Sequence, residues 1–234
     1  MYIDWTYIIL VLPAVLFTMW ASANVKSTYN RYSRQQNSRG MTGAQAARRV
    51  LDANGLQNVA IQQIDGELTD HYDPKANMIC LSADVYSGTS TAAIGVACHE
   101  VGHAIQYAQD YVPVKIRSAI IPITNFGSKF SWPLVLVGLL LCSVAPDFIY
   151  LAYIGVVCFA LCAVFQLVTL PVEFNASSRA MQTIESMGIL YGEELTGTRR
   201  VLRAAAMTYV AALAVTLMQL LRLIIMVSSR DRRR

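Results

Sequence analysis

The chain has 234 residues, 55% hydrophobic and 15% charged, with a mean hydropathy of +0.41 and a net charge of +4. A soluble domain carries nearer a quarter charged residues, so this composition excludes an ordinary soluble protein and points to the membrane. Much of the positive charge lies at the ends of apolar segments, which reads as a topology signal and gives no reason to expect a nucleic-acid partner.

Residues 5–23 are apolar apart from hydroxyls and one proline, and nineteen such residues can cross a bilayer. Asp4 precedes them and no positive n-region does, so residues 1–23 read as a retained first transmembrane helix, not a cleaved signal. Lys26, Arg31, Arg34 and Arg39 follow, which puts the next segment on the cytoplasmic side. Residues 24–113 are expected to form a cytoplasmic catalytic region. In it, Thr42 and Gln45 form a capping box, and the helix they start stops at Asn54-Gly55. Residues 56–64, 68–72 and 78–81 read as strands of a small antiparallel sheet, with turns at Asp65-Gly66 and 73–77. A hairpin there could offer an edge to an extended peptide.

A helix is then expected from about Ser90 to Asp110, ended by Pro113. It carries His99-Glu100-Val101-Gly102-His103. Residues four apart share a helix face, so both imidazoles can reach one metal ion, and Glu100 can take a proton from the attacking water. The chain has three histidines, and two of them are here. The five cysteines form no C-x-x-C pair, so neither a thiolate zinc site nor a disulfide framework is indicated. Cys98 reads as a small buried hydrophobe.

Residues 114–170 are expected to hold an interfacial segment (114–130) and two transmembrane helices (131–145 and 148–170), with a tight loop at Pro146-Asp147. Two crossings would return the chain to the side of the metal helix. Residues 171–200 begin with Pro171 at a helix start and contain Glu173. Residues 201–234 are a last hydrophobic helix, interrupted by Arg203, Gln219 and Arg222, and a basic tail from Arg230 to Arg234. Arg222 is costly in lipid and is expected to snorkel or to pair with Gln219. If the last helix crosses, the tail breaks the positive-inside pattern.

Catalytic zinc usually takes three protein ligands and leaves one position open. The third ligand stays open among His71, Glu173, Asp70, Asp73, Asp84, Asp110 and Glu185. Two imidazoles and a carboxylate suit Zn2+, and other first-row metals would also bind such a set. The transition-state oxyanion needs a further partner. His71, Tyr72 and Arg179 are the candidates, with His71 preferred for its place in Thr69-Asp70-His71-Tyr72-Asp73-Pro74.

That stretch, with Asn37-Ser38-Arg39-Gly40-Met41-Thr42-Gly43, His99-Glu100-Val101-Gly102-His103-Ala104-Ile105-Gln106 and Pro171-Val172-Glu173-Phe174-Asn175-Ala176-Ser177, resembles the bacterial YugP-type membrane zinc metallopeptidases. The likeness runs from about Tyr29 to the last helix. More distantly the chain is similar to membrane gluzincins of the HtpX and CAAX-protease type, whose third ligand opens an E-x-x-A-D pattern. The resemblance implies Glu173 as that ligand, beside His99 and His103, with Ser177 where the pattern has Asp. It implies a multi-pass α-helical membrane protein with a gluzincin-like metal helix and a small hairpin or sheet on the cytoplasmic side.

The expected activity is zinc-dependent endopeptidase cleavage at the bacterial inner membrane. The expected partners are membrane or membrane-surface protein and peptide substrates, the bilayer and a regulatory membrane partner. The alternative is a membrane scaffold or chaperone-like protein with a structural or degenerate metal site, but such a site would not need Glu100. A transporter finds little support without an internal repeat.

Overall fold

In the computed structural model, which describes residues 5–232, the chain is mostly helical. Asp4, Arg233 and Arg234 lie outside the described residues. The helices are α1 (Leu12–Tyr32, preceded by a π-helical turn at Tyr7–Val11), α2 (Gly43–Ala53), α3 (Ala83–Tyr86), α4 (Thr91–Ala108), α5 (Val112–Leu141), α6 (Ile149–Ser186) and α7 (Gly192–Asp231). The strands are β1 (Ala60–Ile64), β2 (His71–Asp73) and β3 (Met78–Ser82). Among the described residues, three helical stretches are long and apolar enough to cross a membrane: Tyr7–Tyr32, Pro146–Ser186 and Gly192–Asp231. The chain divides into two compact units.

The first unit holds residues 5–20, 116–170 and 208–232. Val135, Ile149, Ala152, Val156, Leu223 and Val227 form its core. Small residues bring α5 and α6 together. A Cβ on Gly138 would stand 2.4 Å from the Ala152 nitrogen, and one on Gly155 would stand 2.7 Å from the Ser131 carbonyl oxygen. Close backbone approach of this kind is how helices pack where lipid removes the hydrophobic drive between them. The outer faces stay apolar, with Leu140, Val144, Tyr150 and Val157 all exposed.

Two expectations change here. Residues 114–130 share one helix with the expected second span, because α5 continues through both Pro122 and Pro133, and among the described residues α5 is not one of the stretches long and apolar enough to cross. Each proline removes one bond from the helical ladder, and the rest of the ladder carries the helix on. Arg222 stacks its guanidinium 5.3 Å from the centre of the Tyr7 ring, a cation–π contact in place of the expected Gln219 pair. At the end of α7, Arg230 donates to the Ser143 hydroxyl at 2.6 Å, and Asp231 accepts from the Tyr153 hydroxyl at 3.1 Å. The basic tail thus begins beside the turn that joins α5 to α6.

The second unit holds residues 21–115 and 171–207. The Thr42–Gln45 capping box forms in full, and Gly55 closes α2 with φ at 74°. Val50, Leu51, Ile79, Leu81, Ile94, Val101 and Ile184 meet in the core. The sheet runs in the order β1-β3-β2. It is mixed, since β1 lies parallel to β3 and β2 antiparallel to it. This corrects the purely antiparallel expectation.

Both outer strands are also shorter than expected. Arg48 donates to the carbonyl oxygens of Leu56 and Val59 at 2.8 and 2.7 Å, so β1 starts only at Ala60. Positive φ at Gly66 (104°) and Leu68 (54°) keeps that stretch out of the extended region, so β2 starts at His71. Pro113 does not end the metal-motif helix. That helix closes at Gln109 and at Asp110 (φ 56°), and Pro113 sits in the first turn of α5.

Candidate metal centre

Helix α4 starts where the Ser90 hydroxyl accepts from the Ala93 amide at 3.1 Å. Alanine, isoleucine and valine bury most of its length. His99 and His103 fall one turn apart on the remaining face, their ring centres 4.8 Å apart and nearly perpendicular. The facing helix is α6. It passes through Pro171 without a break, so no new helix starts there, and it turns Glu173 toward the histidines.

His99 Nε2 lies 3.3 Å from Glu173 Oε2, and His103 Nε2 lies 3.5 Å from the same oxygen. All three ligand atoms fall within 4.8 Å of one another. Glu173 is only 2% exposed, and Glu100 next to His99 is 8% exposed. Two imidazole nitrogens and a carboxylate oxygen, converging from two helices, are a donor set that fits zinc. Burial works against a proton on His103, but the Glu173 carboxylate beside its Nε2 and the Glu100 charge outweigh that and raise its pKa. The site therefore attracts positive charge.

The approach of α4 to α6 depends on Gly102. A Cβ there would stand 2.5 Å from the Ala176 carbonyl oxygen, 3.0 Å from its carbon and 3.1 Å from its Cα. No side chain fits, which is why a glycine stands between the two histidine turns. Each histidine is also held from behind. His99 Nδ1 meets the Ser177 hydroxyl at 3.1 Å. Ser177, which replaces the Asp of the resembled pattern, thus still supports a histidine ring. His103 Nδ1 meets Gln106 Oε1 at 3.0 Å. Gln106 and its neighbour Asn175 were not singled out from sequence. The signal was the i, i+3 spacing of Gln106 from His103, together with the place of Asn175 one turn before Arg179.

Among the described residues, the other candidates lie outside this three-residue cluster. His71 lies on the edge strand β2, exposed, with Nδ1 2.8 Å from the Thr69 carbonyl oxygen. The Tyr72 hydroxyl donates to Asn77 Oδ1 at 3.0 Å, and its ring packs on Tyr107. Asp70 accepts from the Ser82 amide at 2.8 Å, and Asp73 from the amides of Lys75 and Ala76. Asp110 pairs with Lys115 at 2.7 Å, and Glu185 faces Arg199 at 4.0 Å. Asp84 lines a polar cavity with Lys26 and Tyr29. Arg179 donates through Nε to Asn175 Oδ1 at 2.7 Å and also to Gln109 Oε1 at 2.6 Å. Cys98 is fully buried, and burial pushes its thiol up to about 12, so it stays a packed thiol.

A family model described as "Putative neutral zinc metallopeptidase" matches residues 7–228, nearly the whole chain. The chain belongs to this family. It is also 46% identical over 226 residues to the "Putative membrane protease YugP" of Bacillus subtilis (strain 168), covering 96% of this chain and 98% of that protein. No solved structure matches. The H-E-x-x-H helix, its facing glutamate and the apolar helices described above, the last of them up to residue 228, fall inside the region that the zinc-metallopeptidase model covers.

Proposed function

We propose that this chain is a zinc-dependent membrane endopeptidase. It would hydrolyse peptide bonds in membrane or membrane-surface proteins, with its site facing the cytoplasm at the bacterial inner membrane. One observation carries the reading: His99 Nε2, His103 Nε2 and Glu173 Oε2 converge within 4.8 Å beside the buried Glu100.

In this reading His99, His103 and Glu173 hold the zinc. Bound zinc supplies Lewis acidity that makes water a nucleophile at neutral pH and polarises the scissile carbonyl. Glu100 accepts the proton of the attacking water and returns it to the departing amine nitrogen. Its low exposure keeps bulk water from competing for that proton. Among the described residues, strand β2 has one edge without a sheet neighbour, and it packs against α4 through Tyr72 and Tyr107. An extended peptide could add to that edge by backbone hydrogen bonds. In this reading His71, on the same strand, would contact the substrate and stabilise the oxyanion.

The test is zinc content and cleavage of a membrane-peptide substrate in detergent, for wild type, Glu100→Gln and Glu173→Ala. The expected result is about one zinc per chain in wild type and Glu100→Gln, much less in Glu173→Ala, and no cleavage by either variant. Full zinc in Glu173→Ala would overturn the ligand set. Cleavage unchanged by Glu100→Gln would overturn the mechanism.

A further inference from the structure

The two candidate histidine ligands are supported by chemically different partners. Behind His99 stands the Ser177 hydroxyl, which can either donate or accept. It does not dictate which ring nitrogen carries the proton. Behind His103 stands Gln106, 0% exposed. Its amide nitrogen donates to the Val172 carbonyl oxygen at 2.7 Å and to Asn175 Oδ1 at 3.0 Å. A main-chain carbonyl can only accept, so the NH2 end of Gln106 must face α6 and its Oε1 must face His103.

Asn175 is oriented by the same logic. Arg179 has no acceptor, and its Nε donates to Asn175 Oδ1 at 2.7 Å, so the Asn175 oxygen is turned toward both Arg179 and Gln106. The orientation of each amide is thus set by groups with a single hydrogen-bonding role. The Gln106 oxygen at the end of this chain can only accept. It can therefore meet only a protonated Nδ1 on His103, while the other ring nitrogen, Nε2, is turned to the side where Glu173 Oε2, itself an acceptor, stands 3.5 Å away.

We infer that Gln106 is a positioning residue that accepts the Nδ1 proton of His103 and so leaves Nε2 to the metal, its own direction set by the Val172 carbonyl and the Asn175–Arg179 pair. This deepens the proposed zinc reading, and once the Glu173 carboxylate is removed the tautomer can be read without the ion. A merely structural role would make Gln106 a buried spacer whose chemistry could be exchanged at equal volume.

Two variants separate these roles. Gln106→Met keeps the bulk and removes the acceptor. Gln106→Glu keeps an acceptor for His103 but sets a carboxylate oxygen against the Val172 carbonyl. Three histidines in the chain make histidine-selective 15N NMR tractable. It is read on zinc-free protein in detergent, in a Glu173→Ala background where no carboxylate faces Nε2, above the titration range of the rings. Zinc affinity is read separately, with Glu173 in place, by chelator competition, and thermal unfolding tracks the fold.

The expected result in the Glu173→Ala background is an Nδ1–H signal for His103 with Gln106 intact and with Gln106→Glu, and mixed tautomers with Gln106→Met. Zinc affinity should fall about 10- to 100-fold in Gln106→Met, the usual cost of losing a partner behind a ligand. Gln106→Glu should lose thermal stability while its zinc affinity stays well above that of Gln106→Met. An Nδ1–H signal persisting in Gln106→Met, or affinities that follow thermal stability instead of the tautomer, would overturn the inference. Should wild type bind no zinc, the zinc reading fails alone, and the tautomer comparison still decides the role of Gln106.

Discussion

Replacing Gly102 by alanine tests whether the contact of α4 with α6 builds the centre. In an unobstructed helix the change would stabilise, since glycine costs about 1 kcal/mol against alanine. Here the new Cβ would lie 2.5 Å from the Ala176 carbonyl oxygen, with that residue's carbon and Cα at 3.0 and 3.1 Å. All three are backbone atoms and cannot swing away. Relief to an ordinary contact of about 3.5 Å requires the helices to part by about 1 Å. Overpacking of this kind costs about 1–3 kcal/mol, enough to cancel the helix gain and reverse its sign. Metal sites tolerate about 0.2 Å in ligand distance, so a 1 Å displacement between His103 and Glu173 should lower zinc affinity at least tenfold.

Gly95→Ala in the same helix is the control. Its Cβ meets the Thr198 methyl at 2.8 Å and nothing else closer than 3.7 Å; Thr198 is buried and bonded to the Thr91 carbonyl, so this change also costs stability but leaves the α4–α6 contact alone. Thermal unfolding in detergent and chelator competition on both variants form the assay. Both variants should unfold at a lower temperature than wild type, and Gly102→Ala alone should lose zinc affinity. A Gly102→Ala protein as stable as wild type, with zinc affinity within twofold, would refute the argument.

Four further outcomes follow from the same geometry. Ser177→Asp should tighten zinc binding severalfold, since a carboxylate fixes the His99 Nδ1 proton and adds negative charge, and Ser177→Ala should weaken it; equal affinities in a chelator titration would show that the hydroxyl plays no part. Arg179→Gln restores freedom to Asn175 but leaves the Val172 carbonyl in place, so its loss of zinc affinity should be smaller than that of Gln106→Met; a larger loss would place Arg179 at the metal itself.

Cys98 should resist alkylation at pH 8 until the protein unfolds, because a fully buried thiol with a pKa of about 12 is about one part in ten thousand thiolate there; mass spectrometry of native and denatured samples checks it. The same shift sets a sign. Below the ordinary value of 9.0 both states keep the proton and the thiol has no effect, and between there and about 12 the unfolded chain ionises first, so stability falls as pH rises. Finally, removing zinc with a chelator should lower the unfolding temperature, since free zinc at a hundred times its Kd adds about 2.7 kcal/mol; an unchanged transition would mean that no zinc was bound.

Much of the site was legible before the structure. The helical spacing of His99 and His103 needs only periodicity, and the Thr42–Gln45 cap is local chemistry. Glu173 was one of several acidic candidates by residue type, and the resemblance singled it out. What brings it to the histidines is the fit of Gly102 on Ala176 across 74 residues of chain, which no local pattern encodes. The support from Gln106 was hidden for a similar reason. A glutamine on an apolar helix reads as one more polar residue until Val172 and Asn175 are seen opposite it. The sheet misled because strand direction is settled by pairing partners, whereas alternation along a strand says nothing about its neighbour. Helix α5 misled because its two prolines are strong local breakers that tertiary packing overrides.

The Arg48 contacts carry a last consequence. One side chain grips Asp52 in its own helix and the carbonyl oxygens of Leu56 and Val59 beyond it. Connections between elements are usually where a protein accepts extra or missing residues. This one works as a ruler instead. Adding or deleting a single residue between positions 53 and 59 would pull one carbonyl off the guanidinium, or slide β1 by one place along β3 and turn its Ile61 from the core toward water. Natural variation in length should therefore fall elsewhere, and a tag inserted here would reach the sheet beside the metal helix.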